Sequence, residues 1–143
     1  MNGIRNLFAG MRSSSTGLSA ERARIDVIAR NVANANTTQT EDGGPYRRRV
    51  VRFQPLMERN EDGESFVSGV HVAGIEKDFS TPFELVRDPS HPDADANGFV
   101  SLPNVSATKE MADLITAMRA YDANLKVQQS FMQMAERALE LSR

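Results

Sequence analysis

All six prolines of this chain fall between residues 45 and 103. That placement constrains the fold more than any other feature of the sequence. Proline removes a backbone donor and clashes with the preceding turn, so it ends or kinks helices. Residues 1–44 and 104–143 can therefore form long helices, and the middle cannot. Charge divides the chain the same way. Residues 1–36 are net +3, residues 37–104 net -5 and residues 105–143 neutral, within a total of -2 over 143 residues.

The two proline-free ends share a period. Ile4, Met11, Leu18, Ile25 and Val32 are spaced seven apart, with Leu7 and Ile28 at a second position of the same repeat. Met111, Met118, Leu125, Met132 and Leu139 repeat likewise, with Leu114, Tyr121 and Ala135 at the second position. Apolar residues every seventh position form the seam of a coiled-coil-like helix contact. Each helix is expected to run about 50 Å at roughly 1.5 Å per residue. Ser14, Glu21, Gln128 and Ser142 interrupt the second positions, which suits a helix with several neighbours better than an isolated pair. Gly3, Gly10 and Gly17 are also seven apart, each directly before a seam residue. Each costs a helix about 1 kcal/mol against alanine, and Ser13-Ser14-Ser15-Thr16 weakens it further. The N-terminal segment is expected to be disordered alone and to order on assembly, where glycine lets another backbone approach closely.

The middle reads as short strands between turns. Arg49–Phe53, Phe66–Ile75, Phe83–Val86 and Phe99–Leu102 have strand composition. Asp42-Gly43-Gly44-Pro45, Glu61-Asp62-Gly63 and Asp95-Ala96-Asn97-Gly98 are turn signals. The expected fold is α+β: long N- and C-terminal helices in a coiled-coil-like core, with a small β-rich middle region. The expected divisions are an N-terminal core helix over 1–36, a β and loop region over 37–104, and a C-terminal core helix over 105–143.

Candidate chemistry is sparse. The chain has no cysteine, which removes disulfides, thiolate metal sites and a thiol nucleophile. Asp93-x-Asp95-x-Asn97-Gly98 matches the first half of a calcium loop, but its twelfth position is Asn104 rather than a bidentate glutamate. It reads as an Asx and glycine turn. His71 and His91 read as structural or solvated. No phosphate-binding, metalloprotease or nucleophile-elbow motif occurs. An enzyme, a cofactor, a metal and a small-molecule substrate are therefore not expected. Arg47-Arg48-Arg49 with Arg52 lies in a net negative region, which argues against a nucleic-acid partner. Alternation on a strand puts Arg47 and Arg49 on one face and Arg48 on the other. These arginines are expected to face an acidic partner subunit. No segment approaches a membrane span, and residues 1–20 lack the apolar stretch of a cleaved secretory signal. Residence in the cytosol, or export without such a signal, follows as an expectation.

Asn31-Val32-Ala33-Asn34-Ala35-Asn36-Thr37 closes the first helix. Its Asn31, Asn34 and Thr37 resemble the Asn-x-x-Asn-x-x-Thr signature of the flagellar rod and hook family. Further stretches resemble the proximal-rod members of that family: Asp42-Gly43-Gly44-Pro45-Tyr46-Arg47-Arg48, residues 88–100, Pro103-Asn104-Val105, and Glu110-Met111-Ala112-Asp113-Leu114-Ile115 with residues 119–124. The resemblance covers nearly the whole chain. It implies a structural subunit of the periplasm-spanning rod, the drive shaft that carries torque from motor to hook. It implies export through the flagellar type III pathway without a cleaved signal. The implied partners are copies of the chain, other rod proteins and the export gate at the base of the basal body. Leu7-Phe8 and Met11 are candidates for gate recognition. The rival readings are a cytosolic coiled-coil adaptor, which gives no reason for residues 88–100, and a small calcium-binding module.

Overall fold

The computed structural model describes residues 2–59 and 63–140, and the side chains of residues 9–59 and 63–140. Six elements follow one another: α1 (Asn2–Ala33), β1 (Arg49–Arg59), β2 (Ser65–Lys77), β3 (Glu84–Arg87), β4 (Phe99–Leu102) and α2 (Ala107–Glu140). The fold is α+β, as the proline distribution requires. The glycines and serines of α1 do not interrupt it, and it is helical through Ser13-Ser14-Ser15-Thr16. At its end Asn34 donates both its amide N–H and its side-chain Nδ2 to Arg30 O, at 3.1 and 2.9 Å. Thr37 Oγ1 donates to Asn34 Oδ1 at 3.2 Å, which terminates the helix.

β1 and β2 form a long antiparallel hairpin with register shifts after Arg52 and after Leu56. Both strands outrun the expected segments, and β1 continues through Pro55. Pro55 pairs with Val70, whose N–H turns away from β1 and donates to Thr16 Oγ1. The two therefore form a pair that exchanges no ladder hydrogen bonds, where a residue without an N–H is tolerated. β3 and β4 form a separate two-stranded antiparallel sheet, Glu84 opposite Leu102 through Arg87 opposite Phe99.

The hairpin is fastened to α1 at Thr16, which donates to Ser13 O at 2.8 Å while accepting from Val70 N at 3.2 Å. Gly69 leaves the room: a methyl there would overlap Thr16 Oγ1. Gly69→Ala is expected to destabilise the chain by about 1–3 kcal/mol, as overpacking does. A thermal melt checks it, and Thr16→Ser should relieve little because the hydroxyl remains.

α1 and α2 run antiparallel. A methyl on Gly10 would lie 2.5 Å from Phe131 Cζ, and one on Gly17 would lie 3.0 Å from Asn124 Nδ2. Asn31 bonds Glu110. Each step of seven up α1 is thus matched by a step of seven down α2. Ala117, fully buried, falls at the same spacing. The glycine periodicity has its physical reason in this contact. The helices meet where a glycine of α1 makes room for a larger side chain of α2, Phe131 or Asn124, one position before the heptad residues.

Candidate subunit interface

The heptad residues lie one position after the contact residues on both helices. Met11, Leu18 and Val32 follow Gly10, Gly17 and Asn31. Met111, Met118, Leu125 and Met132 follow Glu110, Ala117, Asn124 and Phe131. One residue is a rotation of about 100°. On an antiparallel pair, equal rotations of the same sense carry both stripes to the same side. The β1–β2 hairpin occupies the other side, against Arg12, Thr16 and Ala20 of α1. The subunit therefore has one apolar helical face opposite its hairpin.

Exposure differs between the stripes. On α1, Met11, Leu18, Ile25 and Val32 are half-buried and Ile28 is buried. On α2, Leu114 and Tyr121 are half-buried. Met111 and Met118 are 53% and 51% exposed, and Leu125, Met132 and Leu139 are exposed as well. The side chains of Ile4 and Leu7, and the Leu7-Phe8 pair considered for gate recognition, lie outside the described residues. Apolar side chains repeated along one solvent-facing stripe mark an interaction surface.

Where the middle region joins the helices, the buried groups are polar. Asn31 is 1% exposed, and its side-chain amide makes four hydrogen bonds. Nδ2 donates to Arg49 O and to Glu110 Oε2, both at 2.9 Å. Oδ1 accepts from Arg49 N at 2.9 Å and from the Tyr46 hydroxyl at 3.0 Å. The amide thus pairs the outward N–H and C=O of Arg49 as a neighbouring strand would, and closes that edge of β1. Glu110, also 1% exposed, accepts from Arg48 Nε at 2.6 Å through its other oxygen. Arg48 N donates to Asn104 Oδ1 at 2.7 Å, and Asn104 Nδ2 donates to Asp78 O and Thr81 O at 3.0 Å. Burial pushes the Tyr46 hydroxyl pKa upward, partly opposed by Arg49 and Arg30. Both helix ends, the root of β1 and the β2–β3 turn are locked together by one satisfied network.

The network corrects the reading of the arginine run. Arg48 turns inward to Glu110, with Asp78 and Asp113 at 3.9 and 3.8 Å. Arg47 lies 4.7 and 4.0 Å from the centroids of Phe79 and Phe83 and donates to Asp78 O. Arg52 pairs with Glu76. Arg47 and Arg48 find partners within the chain because the strand root packs onto the helix ends, whereas the Arg52–Glu76 pair lies on the exposed surface. The Asp93–Gly98 segment is a turn: Asp95 Oδ1 accepts from the backbone N–H groups of Asn97 and Phe99, both at 2.8 Å. Asp93 Oδ2 accepts from Thr38, and His91 Nδ1 accepts from Asp93 N.

Asp78 caps the β2–β3 turn. The Ser80 hydroxyl above all, then the Thr81 hydroxyl and both backbone amides, hold its carboxyl at about 2, down from 3.8, against the upward pull of burial. A carboxyl with a depressed folded pKa stabilises above its unfolded value and loses that contribution as pH falls through the folded one. The turn is therefore expected to hold at pH 4 and to weaken between 3.8 and about 2. A carboxyl titration followed by NMR checks it, and Asp78→Asn should abolish the dependence.

Residues 11–39 match the family model "Flagella basal body rod protein", and residues 96–141 match "Flagellar basal body rod FlgEFG protein C-terminal". The flagellar basal-body rod protein FlgC of Borreliella burgdorferi is 45% identical, over 94% of this chain and 97% of its own length. This chain belongs to the FlgC family of flagellar rod proteins. FlgC of Bacillus subtilis is 37% identical over 95% of this chain and 98% of its own, and FlgC of Salmonella typhimurium 37% over 90% and 92%. As a FlgC-family member the chain is a structural protein of the flagellar basal body. Each stretch that carried the resemblance contributes to the FlgC fold described above. Asn31, Tyr46 with Arg48, Asn104 and Glu110 meet in the polar network, and residues 88–100 connect β3 to β4. Sequence reasoning missed this convergence. Its only signal was the set of motifs itself, since spacing along the chain does not bring them together. Among the described residues no helix is long and apolar enough to cross a membrane.

Proposed function

We propose that the chain is a subunit of the proximal rod, packing the shared apolar face of α1 and α2 against copies of itself and other rod proteins. The exposed stripe Met111, Met118, Leu125 and Met132, on the side away from the hairpin, carries this reading. In the assembly the stripes act as coiled-coil-like seams. The helices form the inner wall of the shaft, and the region over 37–104 faces outward. Heterologous contacts repeated along a screw axis give an open tube. Extended helical contact resists the shear that torque imposes. Export proceeds through the type III gate without a cleaved signal.

The polar network gives the rod subunit its shape. It fixes the outer region on the helix pair, so each added copy presents the same two surfaces. Electron microscopy of basal bodies from a strain lacking the gene tests the proposal. Membrane rings without rod or hook, restored by complementation, are the expected result. Complete basal bodies without the gene would favour the adaptor reading.

A further inference from the structure

We infer that Met111, Met118 and Met132 are modification sites: hydrogen peroxide converts their thioethers to sulfoxides in the free subunit, and a subunit so oxidised is excluded from the rod. The inference rests on the rod-subunit reading. The chain has seven methionines, no cysteine and no tryptophan, so thioether sulfur is its most oxidisable group. Three of the seven stand on one stripe of α2, at spacings of seven and fourteen. They are 53%, 51% and 50% exposed in the single chain, so an oxidant in water reaches them before a neighbouring subunit covers them. The matching stripe of α1 is built differently. Among Met11, Leu18, Ile25 and Val32 only Met11 carries sulfur, and all four are half-buried.

The step needs no reactant beyond the peroxide. Its O–O bond breaks, one oxygen atom passes to the sulfur, and the other leaves as water. The sulfur is oxidised by two electrons and the peroxide is reduced by the same two. The product is polar and chiral where the thioether was flexible and apolar. On the stripe, subunit packing must bury each S=O group against apolar side chains with no donor, which is unfavourable. In the isolated subunit the same groups stay in water, so oxidation acts on assembly and leaves folding alone. Met57 is an internal reference. It is 53% exposed, as Met111 is, but it lies on β1, away from the stripe.

In a strain lacking the gene, the plasmid-borne chain is accumulated before the other rod proteins are induced. It is pulsed with hydrogen peroxide and quenched with catalase, and rods are then allowed to form. Mass spectrometry compares sulfoxide in the free chain with sulfoxide in the chain recovered from basal bodies. Sulfoxide at Met111, Met118 and Met132 is expected to be depleted about tenfold in basal bodies, with sulfoxide at Met57 equal in both pools. The quench precedes assembly, so burial cannot produce the depletion. A variant with Met111→Leu, Met118→Leu and Met132→Leu keeps the apolar volume without the sulfur. It should form rods in equal number with and without the pulse. Equal sulfoxide in both pools at all four positions overturns the inference, as does a leucine variant that loses rods along with the parent. Basal bodies that lack the chain without any pulse overturn the rod-subunit reading instead.

Discussion

Asn31→Asp is expected to lower the melting temperature by about 10 °C or more at neutral pH. The substitution keeps the shape and the two acceptor bonds from Tyr46 and Arg49 N. It removes both donations, to Arg49 O and to Glu110 Oε2, and sets a second carboxylate where an amide stood 2.9 Å from the first. The site is almost fully buried, so water cannot relieve the repulsion. Breaking such a pairing costs about 3–5 kcal/mol, and each kcal/mol is worth about 3 °C in a domain of this size. Two carboxyls this close share a proton, so the introduced group titrates higher folded than unfolded. The folded variant is therefore favoured below the unfolded carboxylate range, and its deficit grows as pH rises through the raised folded value. Melts of variant and parent from pH 4 to 8 read both effects. A variant that melts with the parent at pH 7 would show that Asn31 does not hold the helix ends together.

The helices and strands were legible in the sequence because they follow from proline, period and turn residues. Proline confined irregular structure to the middle, and β4 falls where Phe99–Leu102 was read. β1 runs past the expected Phe53 and through Pro55 because a two-stranded ribbon offers a proline a position where no ladder bond is lost. The heptad residues of the two helices fall on one side of the helix pair, but hydrophobic spacing cannot tell which neighbour they face. The intramolecular contact sets Gly10 against Phe131 and Gly17 against Asn124, with Ala117 fully buried on the same line. The glycine stripe was its signal, and it was read as a meeting place for another chain's backbone. The network around Asn31 was not legible as a network. A buried glutamate such as Glu110 looks like any helical surface residue until Arg48 and Asn31 are brought to it by the strand root. Arg48 was assigned to the opposite face from Arg47 and Arg49, and that alternation is what turns it inward.

Met118→Asp and Leu125→Asp are expected to abolish rod assembly while leaving the isolated subunit folded. Met118 is 51% exposed in the single chain, so its carboxylate stays in water there, whereas Leu125 is 37% exposed and loses some packing. An exposed substitution of this kind changes stability by about 0.5 kcal/mol or less, and the Met118→Asp melting curve should barely move. In the proposed packing the same positions are covered, and each subunit added would have to bury a carboxylate against an apolar neighbour. That costs several kcal/mol per contact, and about 1.4 kcal/mol is a factor of ten in association. Assembled rods should fall about 100-fold or more in a complemented deletion strain, with loss of swimming. The contrast between an unchanged melt and absent rods is what identifies the stripe as an interface rather than a core. Ile25→Asp makes a weaker separation because its side chain is already half-buried, so folding and assembly suffer together. If Met118→Asp and Leu125→Asp both support full motility, the apolar face of the helix pair does not carry subunit packing. The hairpin would then be the surface left to build the rod.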